Sequence, residues 1–283
     1  LFSPESSGTF AADVAAALRV DLAPLEARVF EDGEHKTRPL ASVRGRDVYV
    51  LQSLFTDGGH SVNDRLVQLL FFIATVRDAG ALRVTAVTPY MGYARKDRRT
   101  KPRDPVTTRY VAQLFEAVGT GCVVTLDVHN LAAFENAFRC HTAHLEAAPR
   151  FVAELAPGLA DLPVTVVSPD AGGIKRAEAF RQRLEVALGR PVGSAFAEKH
   201  RSSGIVSGAG FVGPVEGRIA IIVDDLIAGG TTVARAARAC RDRGAARVIA
   251  VASHGVFAPT APAMLGSPDV DQVLITDSLP AQS

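Results

Sequence analysis

The sequence has no tryptophan, two methionines and only three cysteines. Cys122, Cys140 and Cys240 stand far apart and form no Cys-x-x-Cys pair, which argues against a disulfide framework and fits reduced thiols packed in a cytoplasmic protein. An excess of either charge is missing too. With 31 basic and 30 acidic residues the net charge is +1, so bulk charge gives no reason to expect a nucleic-acid or membrane partner, and any basic patch must be local. The longest apolar run, Leu66 to Thr75 broken by Gln68, falls well short of the roughly 20 residues of a membrane span and reads as a buried helix. No charged-then-apolar leader opens the chain, and Leu1 in place of methionine implies numbering that omits an initiator.

What is present is an alternation of strand and helix patterns over 283 residues, enough for two α/β domains. The alternation runs twice. Val43-Arg44-Gly45-Arg46 leads into a strand at Val48–Gln52, a loop, a long helix from about Val62 and then Gly80-Ala81-Leu82-Arg83; Val215-Glu216-Gly217-Arg218 leads into Ile219–Val223, a loop, a helix and then Gly244-Ala245-Ala246-Arg247. Such self-similarity predicts a duplicated β-α-β domain with a seam near residues 140–150, written here as 1–145 and 146–283.

Only the second copy carries an anion cradle. Its strand ends in Asp224 and Asp225, followed by Ala228-Gly229-Gly230-Thr231-Thr232 and a helix over Val233–Arg243. Glycines there bring backbone N–H groups close to a ligand, the threonines add hydroxyl donors, and the helix dipole points its positive end at the same spot. Neither a P-loop lysine nor a Gly-x-Gly-x-x-Gly fingerprint occurs in this stretch. Two carboxylates beside a phosphate cradle are tolerable when ligand hydroxyls donate to them or a metal bridges, which points to a sugar phosphate.

Other strand ends carry chemistry as well. Phe30-Glu31-Asp32-Gly33-Glu34 reads as a hairpin turn. Pro89-Tyr90-Met91-Gly92-Tyr93-Ala94-Arg95-Lys96-Asp97-Arg98-Arg99 delivers guanidinium forks suited to a polyphosphate. Asp104-Pro105 reads as an N-cap and first helical position, with Val111, Leu114, Phe115 and Val118 on the buried face and Gly119 closing the helix. Asp127 and His129 share a pleat face at the end of a strand, fit for a hydrogen-bonded pair, an acid/base role or a metal. Asp170 ends the strand Val164–Val167 before a Gly-Gly turn, a natural magnesium ligand. Glu198-Lys199-His200-Arg201 opens a glycine-rich stretch that reads as a lid.

Taken in order, Phe-Glu-Asp-Gly-Glu, Pro-Tyr-Met-Gly-Tyr-Ala-Arg-Lys-Asp-Arg-Arg, Leu-Asp-Val-His, Ser-Pro-Asp-Ala-Gly-Gly, Glu-Lys-His-Arg and the Asp224–Thr232 stretch resemble the ribose-phosphate diphosphokinase family from Val29 to Pro280. The resemblance implies two duplicated phosphoribosyltransferase-like domains, each a mostly parallel sheet flanked by helices. It also implies transfer of the β,γ-diphosphoryl group of Mg-ATP to ribose 5-phosphate. By resemblance, Phe30, Asp32, Gly33, Glu34, Arg95, Lys96 and Asp97 would bind ATP. Asp224, Asp225, Ala228, Gly229, Gly230, Thr231, Thr232 and Arg201 would hold ribose 5-phosphate, His129 and Asp170 would hold Mg2+, and Lys199 and Arg201 would be catalytic. The Phe30 turn would serve a neighbouring subunit, implying a homo-oligomer built from dimers, most simply a hexamer. Departures from the family pattern are Ala228 in place of Asp, Gly229 and Thr231 in place of Thr and Gly, Lys96 in place of Gln, His200 in place of Arg, and no final strand and helix after Pro280. The competing readings are a silent regulatory subunit and a phosphoribosyltransferase that consumes the diphosphate.

Overall fold

The computed structural model describes residues 1–4, 9–159, 162–198 and 210–280, and divides the chain into two compact units. One comprises Leu1–Leu145 with Asp277–Pro280, the other Glu146–Thr276.

The first unit begins with α1 (Phe10–Leu18), then a hairpin of β1 (Leu25–Val29) and β2 (His35–Pro39), whose antiparallel register pairs Val29 with His35. There follow β3 (Asp47–Leu51), α2 (Val62–Asp78), β4 (Arg83–Val87), α3 (Thr107–Ala117), β5 (Cys122–Leu126), α4 (Leu131–Ala137) and β6 (His141–Leu145). The four later strands form a parallel sheet in the order β3-β4-β5-β6. Val48, Val50, Val84, Ala86 and Val123 put apolar side chains into a core closed by Leu69, Phe72, Ile73 and Phe115. Helix α2 is fixed at its start by a capping box between Ser61 and Asp64, which satisfies two of the helix's orphan N–H groups. It is not buried all round: Leu66, Leu69, Leu70, Phe72 and Ile73 face the core, whereas Val67 and Phe71 are exposed.

The second unit runs α5 (Ala148–Leu155), β7 (Val164–Ser168), α6 (Ile174–Leu188), β8 (Gly193–Glu198), β9 (Gly210–Val212), β10 (Ile219–Ile227), α7 (Thr231–Arg241), β11 (Arg247–Gly255), α8 (Ala261–Leu265) and β12 (Gln272–Ile275). Its sheet has the order β12-β11-β10-β7-β8-β9, parallel except for β9. Ile219–Val223 and Val248–Ala252 are buried residue after residue, the signature of central strands covered on both faces.

Three local expectations change. Helix α3 starts at Thr107 with Val106 as N-cap and no side-chain cap bond, because the Asp104 carboxylate turns back into its own loop. On that helix Leu114 is exposed while Val111 and Phe115 are buried, so the apolar face is narrower than the spacing implied. Helix α7 begins at Thr231 instead of Val233 and ends at Arg241. The three cysteines are free thiols, with Cys240 buried and Cys122 and Cys140 half-buried.

Candidate active site

Strand β10 carries Asp224 and Asp225 inside it and not at its end. It pairs with β7 only over Ile219–Ile222 but with β11 as far as Ile227 opposite Gly255. The acids therefore lie where β10 has outrun one neighbour and still leans on the other. A strand free on one side can carry polar side chains that a fully sandwiched one cannot, and this is the carboxyl edge where open α/β sheets take ligands.

The two acids share a cation. Arg176, in the first turn of α6, places Nη1 3.3 Å from Asp224 Oδ1 and 3.2 Å from Asp225 Oδ1. The Asp225 N–H also donates to Asp224 Oδ1 at 2.9 Å. Asp225 is buried and Asp224 keeps about a fifth of its side chain open. Burial pushes the Asp224 carboxyl up, the hydrogen bond and negative charge of Asp225 add to this, and Arg176 opposes it. Arg176 was not singled out from the sequence. The available signal was an arginine three residues after Asp-Ala-Gly-Gly, at the cation-disfavouring end of a helix.

Past the acids the chain is pinned before it turns. The Ile227 and Ala228 carbonyls accept N–H bonds from Phe257 and Ala258, each at 3.0 Å. Gly230 then takes φ +78°, and a Cβ there would stand 2.9 Å from Cβ of Met264 on α8, so both conformation and space demand glycine. The Ala234 N–H bonds to the Gly230 carbonyl at 2.9 Å. The N–H groups of Thr231, Thr232 and Val233 lie ahead of that first bond and have no acceptor within the helix. Thr231 is exposed and Thr232 half-buried. This is an anion cradle in shape and polarity.

Asp170 closes β7 in the same unit. Its Oδ1 accepts the N–H groups of Gly172 at 2.9 Å and Gly173 at 3.1 Å, and the Ser168 hydroxyl donates to its carbonyl at 2.7 Å. A Cβ on Gly173 would lie 2.9 Å from that hydroxyl oxygen. With one carboxylate oxygen fixed by two backbone donors, Asp170 is held in one orientation, which suits a hard cation that keeps waters and ligand phosphate oxygens. Among the described residues no three His, Cys, Asp or Glu side chains converge as a metal cage.

In the first unit, β5 ends at Leu126 and Asp127 takes φ +38°. The pleat argument for Asp127 and His129 therefore fails, since both lie beyond the strand and its alternation. His129 is exposed. In the basic segment Arg95, Arg98 and Arg99 are exposed, whereas Lys96 is engaged. Its ammonium pairs with Asp104 at 2.5 Å, and the same carboxylate accepts the Thr100 hydroxyl and the Thr100 and Lys101 N–H groups. These bonds, that of Lys96 foremost, hold Asp104 well below the usual carboxylate range. Asp97 accepts from the Asn130 amide at 2.5 Å.

The β1–β2 turn is the expected hairpin. Gly33 donates to the Phe30 carbonyl at 3.0 Å, Phe30 donates to the Glu34 carbonyl, and Asp32 takes the Glu34 N–H at 3.1 Å. The Phe30 ring is exposed, with the Arg28 guanidinium 4.9 Å from its centroid. Lys199, His200 and Arg201 lie outside the described residues.

A family model described as the N-terminal domain of ribose phosphate pyrophosphokinase matches residues 1–119, and a phosphoribosyl synthetase-associated domain matches 207–283. The chain is 36% identical over 283 residues to a ribose-phosphate pyrophosphokinase of Synechococcus elongatus, covering 99% of this chain and 82% of that protein. It is 37% identical over 282 residues to one from a Nostoc species, with the same coverage. Among solved structures, phosphoribosylpyrophosphate synthetase from Mycobacterium smegmatis superposes with a TM-score of 0.89 at 33% identity, covering 99% of this chain and 88% of that one. With that identity spanning nearly the whole sequence and the cradle standing on its second sheet, the chain belongs to the ribose-phosphate pyrophosphokinase family.

Proposed function

We propose that the chain transfers the β,γ-diphosphoryl group of ATP to the C1 hydroxyl of ribose 5-phosphate, giving phosphoribosyl diphosphate and AMP. The observation that carries this is the cradle of the second unit, an Asp-Asp pair followed by a turn that must be glycine, in a chain 36–37% identical to pyrophosphokinases throughout. The 5-phosphate binds on Ala228–Thr232 at the start of α7, and the ring hydroxyls donate to Asp224 and Asp225. The C1 oxygen, losing its proton, forms a bond to the β-phosphorus while the bond from that phosphorus to the α,β-bridging oxygen breaks and AMP leaves. Alignment and positive charge supply most of the catalysis of such a step.

In the first unit Arg95, with Lys96 and Asp97 beside it, takes the triphosphate, and the exposed Phe30 turn with Asp32, Gly33 and Glu34 offers an aromatic face and acceptors to adenine. We assign that turn to the nucleotide of a neighbouring copy, so the active form is a homo-oligomer, dimer-based and most simply hexameric. Lys199 and Arg201 stabilise the charge developing on the phosphoryl oxygens, one such donor contributing roughly 3 kcal/mol in comparable sites. Magnesium supplies neutralisation of the phosphate oxygens when bound, and Asp170 fits it on the geometry above, with His129 as the second proposed ligand. No helix of the described residues is long and apolar enough to cross a membrane. A cytoplasmic location is proposed from the free thiols.

The test is to incubate the protein with ribose 5-phosphate, ATP and magnesium and identify the nucleotide formed. AMP is expected. ADP would mean transfer of the γ-phosphoryl group alone, and an oligomeric preparation that turns over nothing would mark a silent subunit.

A further inference from the structure

The Arg176 guanidinium is not part of the cradle, yet both of the cradle's acids meet it. Its Nη1 lies 3.3 Å from Asp224 and 3.2 Å from Asp225. Three-quarters of the Arg176 side chain is shielded from solvent, and Asp225 is almost wholly so. Two carboxylates this close repel each other strongly when poorly solvated, and a shared cation offsets that repulsion and draws both toward one point. The Asp225 N–H donates to Asp224, a bond that orients Asp224. Arg176 ties both acids to one point through a single nitrogen.

The backbone around Arg176 is itself fixed. Ser168 and Asp170 hold the turn ahead of α6 through three hydrogen bonds, and Gly173 permits the close approach of that turn to Ser168. A Cβ on Gly173 would stand 3.9 Å from Arg176 Nη1, so the turn and the guanidinium are in near contact. The arginine is thus placed by rigid neighbours and transmits that placement to the acids.

We infer that Arg176 is a positioning residue of the sugar subsite: it holds Asp224 and Asp225 in one arrangement as acceptors for two adjacent ribose hydroxyls. This rests on the assignment of ribose 5-phosphate to the cradle. Loss of Arg176 therefore weakens the sugar and leaves the nucleotide alone, because the residues proposed for ATP belong to the other unit.

The experiment compares Arg176→Lys and Arg176→Met with the parent in the AMP-forming assay, measuring KM for ribose 5-phosphate and for ATP separately. Arg176→Met is expected to raise KM for ribose 5-phosphate at least tenfold while KM for ATP stays within about twofold. Arg176→Lys, which keeps the charge but offers a single ammonium, is expected to recover part of that loss. Should the methionine variant fail to fold, the lysine variant carries the test, with KM for ribose 5-phosphate raised about threefold or more and KM for ATP within twofold. Equal changes in both KM values, a sugar KM within twofold of the parent in the folded variants, or a lysine variant no better than methionine would overturn the inference. A parent that forms no AMP would instead refute the proposed activity, so the two failures are told apart.

Discussion

Arg77 and Arg241 make the same bonds in the two units. Arg77 Nη1, in the last turn of α2, donates to the carbonyls of Ala81 at 3.2 Å and Leu82 at 3.0 Å; Arg241 Nη1, in the last turn of α7, donates to Ala245 at 3.2 Å and Ala246 at 3.0 Å. The match continues through the backbone. Gly45 donates to Gly80 and Gly217 to Gly244, each at 2.8 Å, and Leu82 donates to Arg46 as Ala246 does to Arg218, each at 2.9 Å. The units thus repeat a strand-helix-strand module down to single hydrogen bonds. Among the described residues, Arg241 also pairs with a carboxylate, that of Asp271, and Arg77 does not.

That extra partner makes the two arginines unequal. Bonds from a charged donor contribute about 1.5–3 kcal/mol when buried and less at a partly open helix end. Arg77→Ala is expected to cost about 1 kcal/mol and Arg241→Ala about 2 kcal/mol by the same reasoning, read from denaturant unfolding. A larger loss for Arg77, or none for either, would refute the shared role.

The module was legible in the sequence because its signals are local. Gly45, Gly80, Gly217 and Gly244 all take positive φ and so had to appear as repeated glycines at repeated spacings. The cradle was legible for the same reason, Gly230 being fixed by one backbone angle and one close approach. Arg176 was not, because its partners lie some 50 residues away, on another strand, and nothing in its neighbourhood of sequence names them. Asp104 misled for a related reason: Asp-Pro before a helix is an N-cap signal, but a lysine eight positions back competes for the carboxylate and wins it. The shared pleat face read for Asp127 and His129 failed because strand alternation was carried past a residue with φ +38°, a turn that the sequence does not mark.

Gly230 and Gly229 separate shape from strain. Gly230→Ala forces a side chain into a left-handed conformation and against Met264 at 2.9 Å, costing about 1–3 kcal/mol. Gly229→Ala meets the Thr260 hydroxyl oxygen at 3.1 Å and that of Thr231 at 4.0 Å, with no positive φ. Ribose 5-phosphate affinity, read by KM, is expected to fall at least tenfold for Gly230→Ala and by less than about threefold for Gly229→Ala. Equal effects would mean that the turn is not held by α8.

The Lys96 ammonium already donates to Asp104 and to the Thr100 hydroxyl, which leaves one N–H for a triphosphate. If it serves ATP, the nucleotide competes for its charge with a carboxylate that also binds Thr100 and Lys101. Asp104→Asn keeps acceptor capacity for the backbone and removes the charge that competes. It is expected to lower KM for ATP about twofold to fivefold, a half-buried pair at the surface being a modest competitor, with KM for ribose 5-phosphate unchanged. A higher KM for ATP would show that Asp104 orients Lys96 for the nucleotide and does not withhold it.

The raised Asp224 carboxyl predicts a pH dependence of folding whose sign is fixed by linkage. Burial and Asp225 carry it from the ordinary 3.8 to about 8 in the folded chain. Below about pH 4 the group is protonated whether folded or not, and its contribution to stability is fully present. Between about pH 4 and 8 the unfolded chain gives up this proton while the folded chain retains it, so stability falls as pH rises, by at most about 1.4 kcal/mol per pH unit for one proton. Asp224→Asn removes this proton from the balance but leaves every other titrating group in place. The parent Tm is therefore expected to decline relative to the Asn variant across that window, measured by calorimetry in matched buffers without substrate. Two Tm curves that run parallel from pH 4 to 8 would mean that Arg176 compensates both acids fully and that neither holds a proton in the empty site.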